Sequence, residues 1–269
     1  MKTTPRTTSS LAVFGMIASL SACLFAQAPN PAKSVKIAPD KEVAEKVQQL
    51  TKIAKNKKFT EDARGIEIID LLMIKQAKGL AAKDQAMIVK TLSGVLNQKP
   101  VRPANQIRLY NAAAEALGRH GAAGAKALKK AYENKGNFKM RPAWVPLRER
   151  LLKNIGRCKD KANIKFLTNV ARRNPEAALQ AAAGDALGFF DDADQKIRRD
   201  IVSQLLVTFG ALSERASQGG TSIDSQNAKD RLAAISGKWI ATLKKLSGQN
   251  FDTFREWQSW FQKNKNRKW

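Results

Sequence analysis

Few side chains in this sequence are able to do chemistry. There is one histidine, His120, and there are two cysteines, Cys23 and Cys158. A Ser-His-Asp arrangement would have to use His120, and no nucleophile-elbow motif surrounds any serine. One histidine and at most one free thiol cannot build a Cys/His zinc site. His120 precedes Gly121, which fits a helix C-terminal residue held by the dipole better than a general base. Cys158 lies between Arg157 and Lys159, cations able to lower a thiol pKa. The plainer expectation for a cysteine at a helix end is packing. The stretch GAAGAK at 121–126 lacks the GK[ST] ending and the preceding strand of a phosphate loop. Asp191 and Asp192 suit turn capping better than acid–base work. The expectation is a protein that is not an enzyme, with no cofactor, no metal and no small-molecule substrate.

The basic residues are abundant. The chain has 48 Lys and Arg against 23 Asp and Glu, a net charge of +25. Such a field draws in phospholipid head groups, acidic polysaccharide, nucleic acid or acidic proteins. Solvated lysine-rich helix faces, serving solubility alone, would give the same total. The charge is uneven: residues 126–173 hold 15 basic residues and three acids, Glu133, Glu149 and Asp160.

The amino-terminal residues 1–28 read as an export signal. Lys2 and Arg6 form a positive region before the apolar run LAVFGMIASL at 11–20. A membrane-spanning helix needs about 18 or more apolar residues, and this run is shorter. Two processing sites stand open. AQA at 26–28 fits the small-x-small rule but is followed by Pro29. LSAC at 20–23 resembles a lipobox, in which Cys23 would be lipidated, although LFA prolongs the apolar run after it. Either places the protein outside the cytoplasm, in the periplasm or cell envelope or secreted. Either also leaves Cys158 without a disulfide partner.

The remaining chain must position whatever face does the work. Residues 29–39, with Pro29, Pro31 and Pro39 flanking few large apolar residues, read as an extended linker. Asp40 is placed to cap a helix over 41–55, with Val43, Val47, Leu50 and Ala54 on one stripe. Thr60 or Asp62 opens a second, with Ile66, Ile69, Leu72 and Met73 at helical spacing and Lys78-Gly79 closing it. Residues 86–96 give a third. No stretch alternates with period two for long, so the chain is expected to be all-α.

One phrase is then written three times: NAAAEALGRHG at 111–121, LLKNIGRCKD at 151–160 and AAAGDALGFFDD at 181–192. Aligned on Gly118, Gly156 and Gly188, each copy has an apolar pair four residues apart before the glycine. Each is followed by a short polar turn and a second apolar helix. Asp192 with Gln195 gives a capping-box-like start to the last of these. The glycines are expected to end the first helices, where a residue without Cβ can take positive φ. Helical hairpins of 30-odd residues cannot bury an apolar face alone, so copies stack.

These phrases and their following helices resemble the HEAT-repeat, or armadillo-like, α-solenoids over residues 103–209. The tail at 246–261, with Gly248, Gln249, Phe251, Trp257 and Trp260, is similar to the end of bacterial secreted HEAT-repeat proteins. The resemblance implies a right-handed α-solenoid of HEAT-like hairpins over 40–250, closed by a Trp-rich capping helix and basic tail at 251–269. Residues 137–147 and 217–226 depart from the repeat and read as loops between helices. Phe254, Trp257 and Phe261 would form the apolar face of the cap.

The family mostly supplies scaffolds and binding surfaces, with the second helix of each hairpin on the concave side. The first strong apolar residue of each second helix, Leu128, Ile164 or Ile197, is followed by a cation: Lys129, Lys165 or Arg198. Those three are expected to form the spine of a cationic groove. Lys126, Lys130, Lys161, Arg172 and Arg199 would widen it. The expected partner is a protein, with an acidic surface. The alternative is direct binding of an anionic polymer or a membrane surface. These cations pointing outward into solvent is the rival reading.

Overall fold

Side-chain caps and apolar spacing set the helices. In the computed structural model, which describes residues 37–134, 142–218 and 222–268, Asp40 Oδ1 accepts the Glu42 backbone N–H at 2.8 Å and starts α1 (Lys41–Lys55). Val43, Leu50 and Ala54 of its stripe are buried. The second helix, α2 (Asp62–Ala77), buries Ile69, Leu72 and Met73 and stops before Gly79, whose φ is +93°. Then come α3 (Ala82–Asn97), α4 (Arg108–Leu117), α5 (Gly121–Glu133), α6 (Val145–Arg157), α7 (Ile164–Arg173), α8 (Ala177–Leu187), α9 (Gln195–Ser217), α10 (Ile223–Ser247) and α11 (Phe254–Asn264). Short 3-10 turns precede α6 and α7 and follow α8. No strand occurs among the described residues. The export signal, Cys23, residues 29–36 of the linker and Trp269 lie outside the described residues.

The helices pack in chain order, as two layers. Even-numbered helices α2, α4, α6, α8 and α10 each contact the next even one. Odd-numbered helices do likewise from α1 through α3 to α5, and from α7 through α9 to α11. Tyr132 of α5 and Phe166 of α7 join those runs, edge to face with centroids 5.6 Å apart. One apolar core lies between the layers and runs from Val43 to Trp257. This chain-order packing is compatible with a solenoid of hairpins. The helix pairs α4–α5, α6–α7 and α8–α9 coincide with the three copies of the repeated phrase.

The repeat glycines act differently from the expectation. Gly118 and Gly188 have φ of −59° and −67°, and Gly156 lies inside α6. None of them needs the left-handed region. Positive φ falls three residues later in two copies, at Gly121 (+52°) and Lys159 (+51°). The glycines are small because the next even-numbered helix crosses there. A Cβ on Gly118 would sit 2.5 Å from Asn154 Oδ1 of α6, and one on Gly188 3.0 Å from Thr242 Oγ1 of α10. One on Gly156 would overlap the Ala186 carbonyl of α8. The repeat therefore marks a backbone approach, renewed once per hairpin.

α8 shows what this approach does. Its residues Leu179–Leu187 are buried with the sole exception of Asp185, because α6, α7 and α10 surround it. A helix enclosed on every side needs no polar face. Trp239 of α10 packs against Gly184, fully buried, where a Cβ would overlap its ring, and its Nε1 donates to the Gln180 carbonyl at 3.3 Å.

Two further expectations are corrected. Residues 145–147 and 223–226 are helical, so the two expected loops are shorter than the sequence implied. Residues 142–144 form a 3-10 turn, and 137–141 and 219–221 lie outside the described residues. The capping box expected at Asp192 and Gln195 is absent: Asp194 is the N-cap of α9 and makes no side-chain cap. Asp192 instead accepts from Lys159 Nζ at 2.8 Å. A capping box is present in α11, where Thr253 and Glu256 satisfy each other's backbone N–H groups.

Candidate functional site

The cations singled out in the sequence are distributed over α5, α7 and α9 and the turns between them, all in the odd-numbered layer. Lys126, Lys129 and Lys130 come together. They line a cleft of about 840 Å³ between α5 and the turn that opens α7, with Glu133, Asp160 and the small residues Ala122 and Ala162. Helical spacing explains the grouping: positions 126, 129, 130 and 133 lie three and four residues apart on one face of α5. The opposite face carries buried Leu128 and Ala131. Lys126 and Lys130 are exposed, and Lys129 is half-buried because its Nζ sits 5.0 Å above the Phe166 ring. A cation over an aromatic face is attracted by the ring quadrupole, which positions this ammonium without neutralising it.

Asp160 forms no ion pair with these lysines among the described residues. Its Oδ1 accepts the Ala162 N–H at 3.1 Å and its Oδ2 accepts from Asn163 Nδ2 at 2.8 Å. The carboxylate caps the turn and keeps its negative charge at the edge of the cleft. Among the described residues, Lys126, Lys129, Lys130, Lys165 and Arg172 form no ion pair.

The remaining members are elsewhere. Lys165 is exposed on α7. Lys161 pairs with Asp194 at 3.0 Å across the α6–α7 and α8–α9 turns. Arg198 donates to the carbonyls of Ala193 at 3.1 Å and Leu246 at 2.7 Å, so it holds the end of α10 to α9. Arg199 donates to the Arg267 carbonyl at 2.7 Å and ties down the tail. Arg172 ends α7 and lines a different cleft, between α7, α9 and α10. The register counted on the sequence thus selects residues of one layer, but their side chains do different things. Sequence reasoning missed Arg173, Arg215 and Arg231, which line that second cleft with Arg172. Their spacing along the chain carries no signal, because three helices bring them together.

The two residues with nucleophilic or acid–base potential are packed away. Cys158 is buried, and burial pushes its thiol up to about 12. Its Sγ donates to the Leu117 carbonyl at 3.5 Å. The adjacent cations do not activate it. His120 is not at a helix C-terminus alone: it is the N-cap residue of α5. Its Nδ1 lies 3.3 Å from Gln76 Nε2, an amide donor that a protonated ring could not accept from. Burial lowers its pKa. Among the described residues no three His, Cys, Asp or Glu side chains gather as metal ligands, and no helix is long and apolar enough to cross a membrane. Comparison with protein families, with curated proteins and with solved structures finds no match to this chain.

Proposed function

We propose that the protein is a non-enzymatic scaffold that binds an acidic protein segment on the α5–α7 side of its helical stack. The observation that carries this reading is the group Lys126, Lys129 and Lys130, three cations on one cleft wall with no acid paired to them among the described residues. The stack itself is read as a right-handed solenoid of HEAT-like hairpins. Helix α11 is read as its cap, supported by buried Trp257 and by Phe254 packing 5.2 Å from Phe209. Export to the envelope, through cleavage after residue 28 or lipidation of Cys23, is part of the same proposal and rests on the amino-terminal sequence.

Poly-L-glutamate is a suitable probe of the surface. Binding to the full chain is expected to fall at least tenfold in the Lys126→Glu/Lys129→Glu/Lys130→Glu variant. Lys41→Glu/Lys52→Glu/Lys90→Glu, with the same total charge change on α1 and α3, is expected to retain most of it. Equal losses in both variants would reduce the cleft to a share of the overall field. A heparin control read at several salt concentrations reports polyanion binding, which weakens steeply as counterions are added.

A further inference from the structure

The cleft between α7, α9 and α10 has a different chemistry from the lysine face. It is an open cleft of about 790 Å³, and its charged lining is Arg172, Arg173, Arg215 and Arg231 against one carboxylate, Asp224. Arg172 and Arg173 form the last turn of α7, and Arg215 the last turn of α9. Cations in those places also offset the negative ends of helix dipoles, which accounts for each of the three singly. Arg231, well inside α10, reaches the same end of α7 through the carbonyl of Asn174, its C-cap residue.

Arg231 is held rigidly by neutral acceptors. Its guanidinium donates to the Asn174 carbonyl at 3.1 Å, to Gln180 Oε1 at 2.7 Å and to the Pro175 carbonyl. These bonds orient the group and leave its charge intact, with two of the five N–H donors of a guanidinium uncommitted. Arg172, Arg173 and Arg215 make no ion pair among the described residues. The start of α10, capped by Ser222, adds the positive end of a helix to the same wall. Beside this lies an apolar strip of α9: Val207, 59% exposed, with Ala211 and Leu212.

We propose that this cleft binds a small organic phosphate, its phosphate among the arginines and its organic part against Val207 and Leu212. Guanidinium forks match phosphate oxygens in pairs. A planar carboxylate fills one fork, whereas a tetrahedral dianion can take donors from several directions. The volume falls within the range of about 300–1,000 Å³ typical of small-ligand sites. The proposal is independent of protein binding at Lys126, Lys129 and Lys130.

Titration calorimetry of the full chain with inorganic pyrophosphate, in buffer without phosphate or sulfate, tests it. Saturable binding is expected, weakened about tenfold by Arg173→Gln and by Arg215→Gln, neither of which breaks an internal bond, and unchanged in Lys126→Gln/Lys130→Gln. Arg231→Gln also removes the clamp on α7 and α8, so its effect is read beside its melting temperature. No saturable binding, or equal weakening by the lysine variant, overturns the site. Phosphatidic acid vesicles separate the sources. Competition with pyrophosphate that is lost in Arg215→Gln identifies a lipid headgroup, and pyrophosphate binding without vesicle binding identifies a soluble phosphate.

Discussion

At the scale of single residues, glycines and one cysteine show how context decides a role. A methyl group at Gly156 meets the backbone carbonyl of Ala186, which cannot swing aside as a side chain would. Gly156→Ala is expected to destabilise the fold by about 1–3 kcal/mol, the usual cost of overpacking. Gly94 lies in the last turn of α3 with nothing within 4 Å of its would-be Cβ. Gly94→Ala is expected to stabilise by about 0.5–1 kcal/mol through the unfolded chain. Urea denaturation of the two variants reads the opposite signs; two losses of equal size would remove the close-approach account. Cys158 gives a pH prediction. Its thiol is pushed up from 9.0 to about 12 by burial, so the folded state holds its proton more tightly than the unfolded chain does. This contribution to stability is complete below pH 9 and is lost as pH rises from there toward 12. In a Cys23→Ser variant at pH 8, Ellman's reagent is expected to leave Cys158 unmodified until the chain is denatured; rapid reaction of that native variant would contradict its burial.

At the scale of helices, much was legible in the sequence and the reasons are local. Asp40 as a cap, the stripe through Ile69, Leu72 and Met73, and Gly79 as a stop are properties of a few neighbouring residues. The three-fold phrase was legible too, because a hairpin that recurs leaves a recurring pattern. The purpose of its glycines was not. That depends on Asn154, Ala186 and Thr242, each more than 25 positions away in the sequence and brought close only by packing. The capping box was placed at the wrong helix because Asp192 and Thr253 both satisfy the spacing rule, and only the structure shows Lys159 taking Asp192. Trp239 was likewise not singled out. It fills the junction of α8, α9 and α10, stacking edge-on to Phe209 at 6.2 Å and hydrogen-bonding to Gln180. Trp239→Ala is expected to cost about 3–5 kcal/mol. Hydrogen exchange of this variant is expected to rise most in α8, α9 and α10 and least in α1 and α2, since in a stack each hairpin leans on its neighbours. A uniform rise along the chain would indicate a single cooperative unit instead.

At the scale of the whole molecule, the excess of positive charge is the dominant property, and structure divides it into kinds. Some cations are structural: Arg198 and Arg199 hold carbonyls, and Lys159 and Lys161 tie adjacent turns through Asp192 and Asp194. Arg102, with its side chain fully buried, bonds Asp62 at 2.8 Å and stacks on Phe59 and Tyr110. Others, on α5 and α7, face solvent with no acid paired to them among the described residues. Net charge alone could not separate these groups, because the division depends on which helix ends and carboxylates lie within reach. The central claim is that the second group is the binding face. Lysine acetylation footprinting by mass spectrometry, with poly-L-glutamate bound and absent, tests it most directly. The account predicts that Lys126, Lys129 and Lys130 lose reactivity on binding while exposed Lys41, Lys52 and Lys90 keep theirs; protection spread evenly over all six lysines would contradict it.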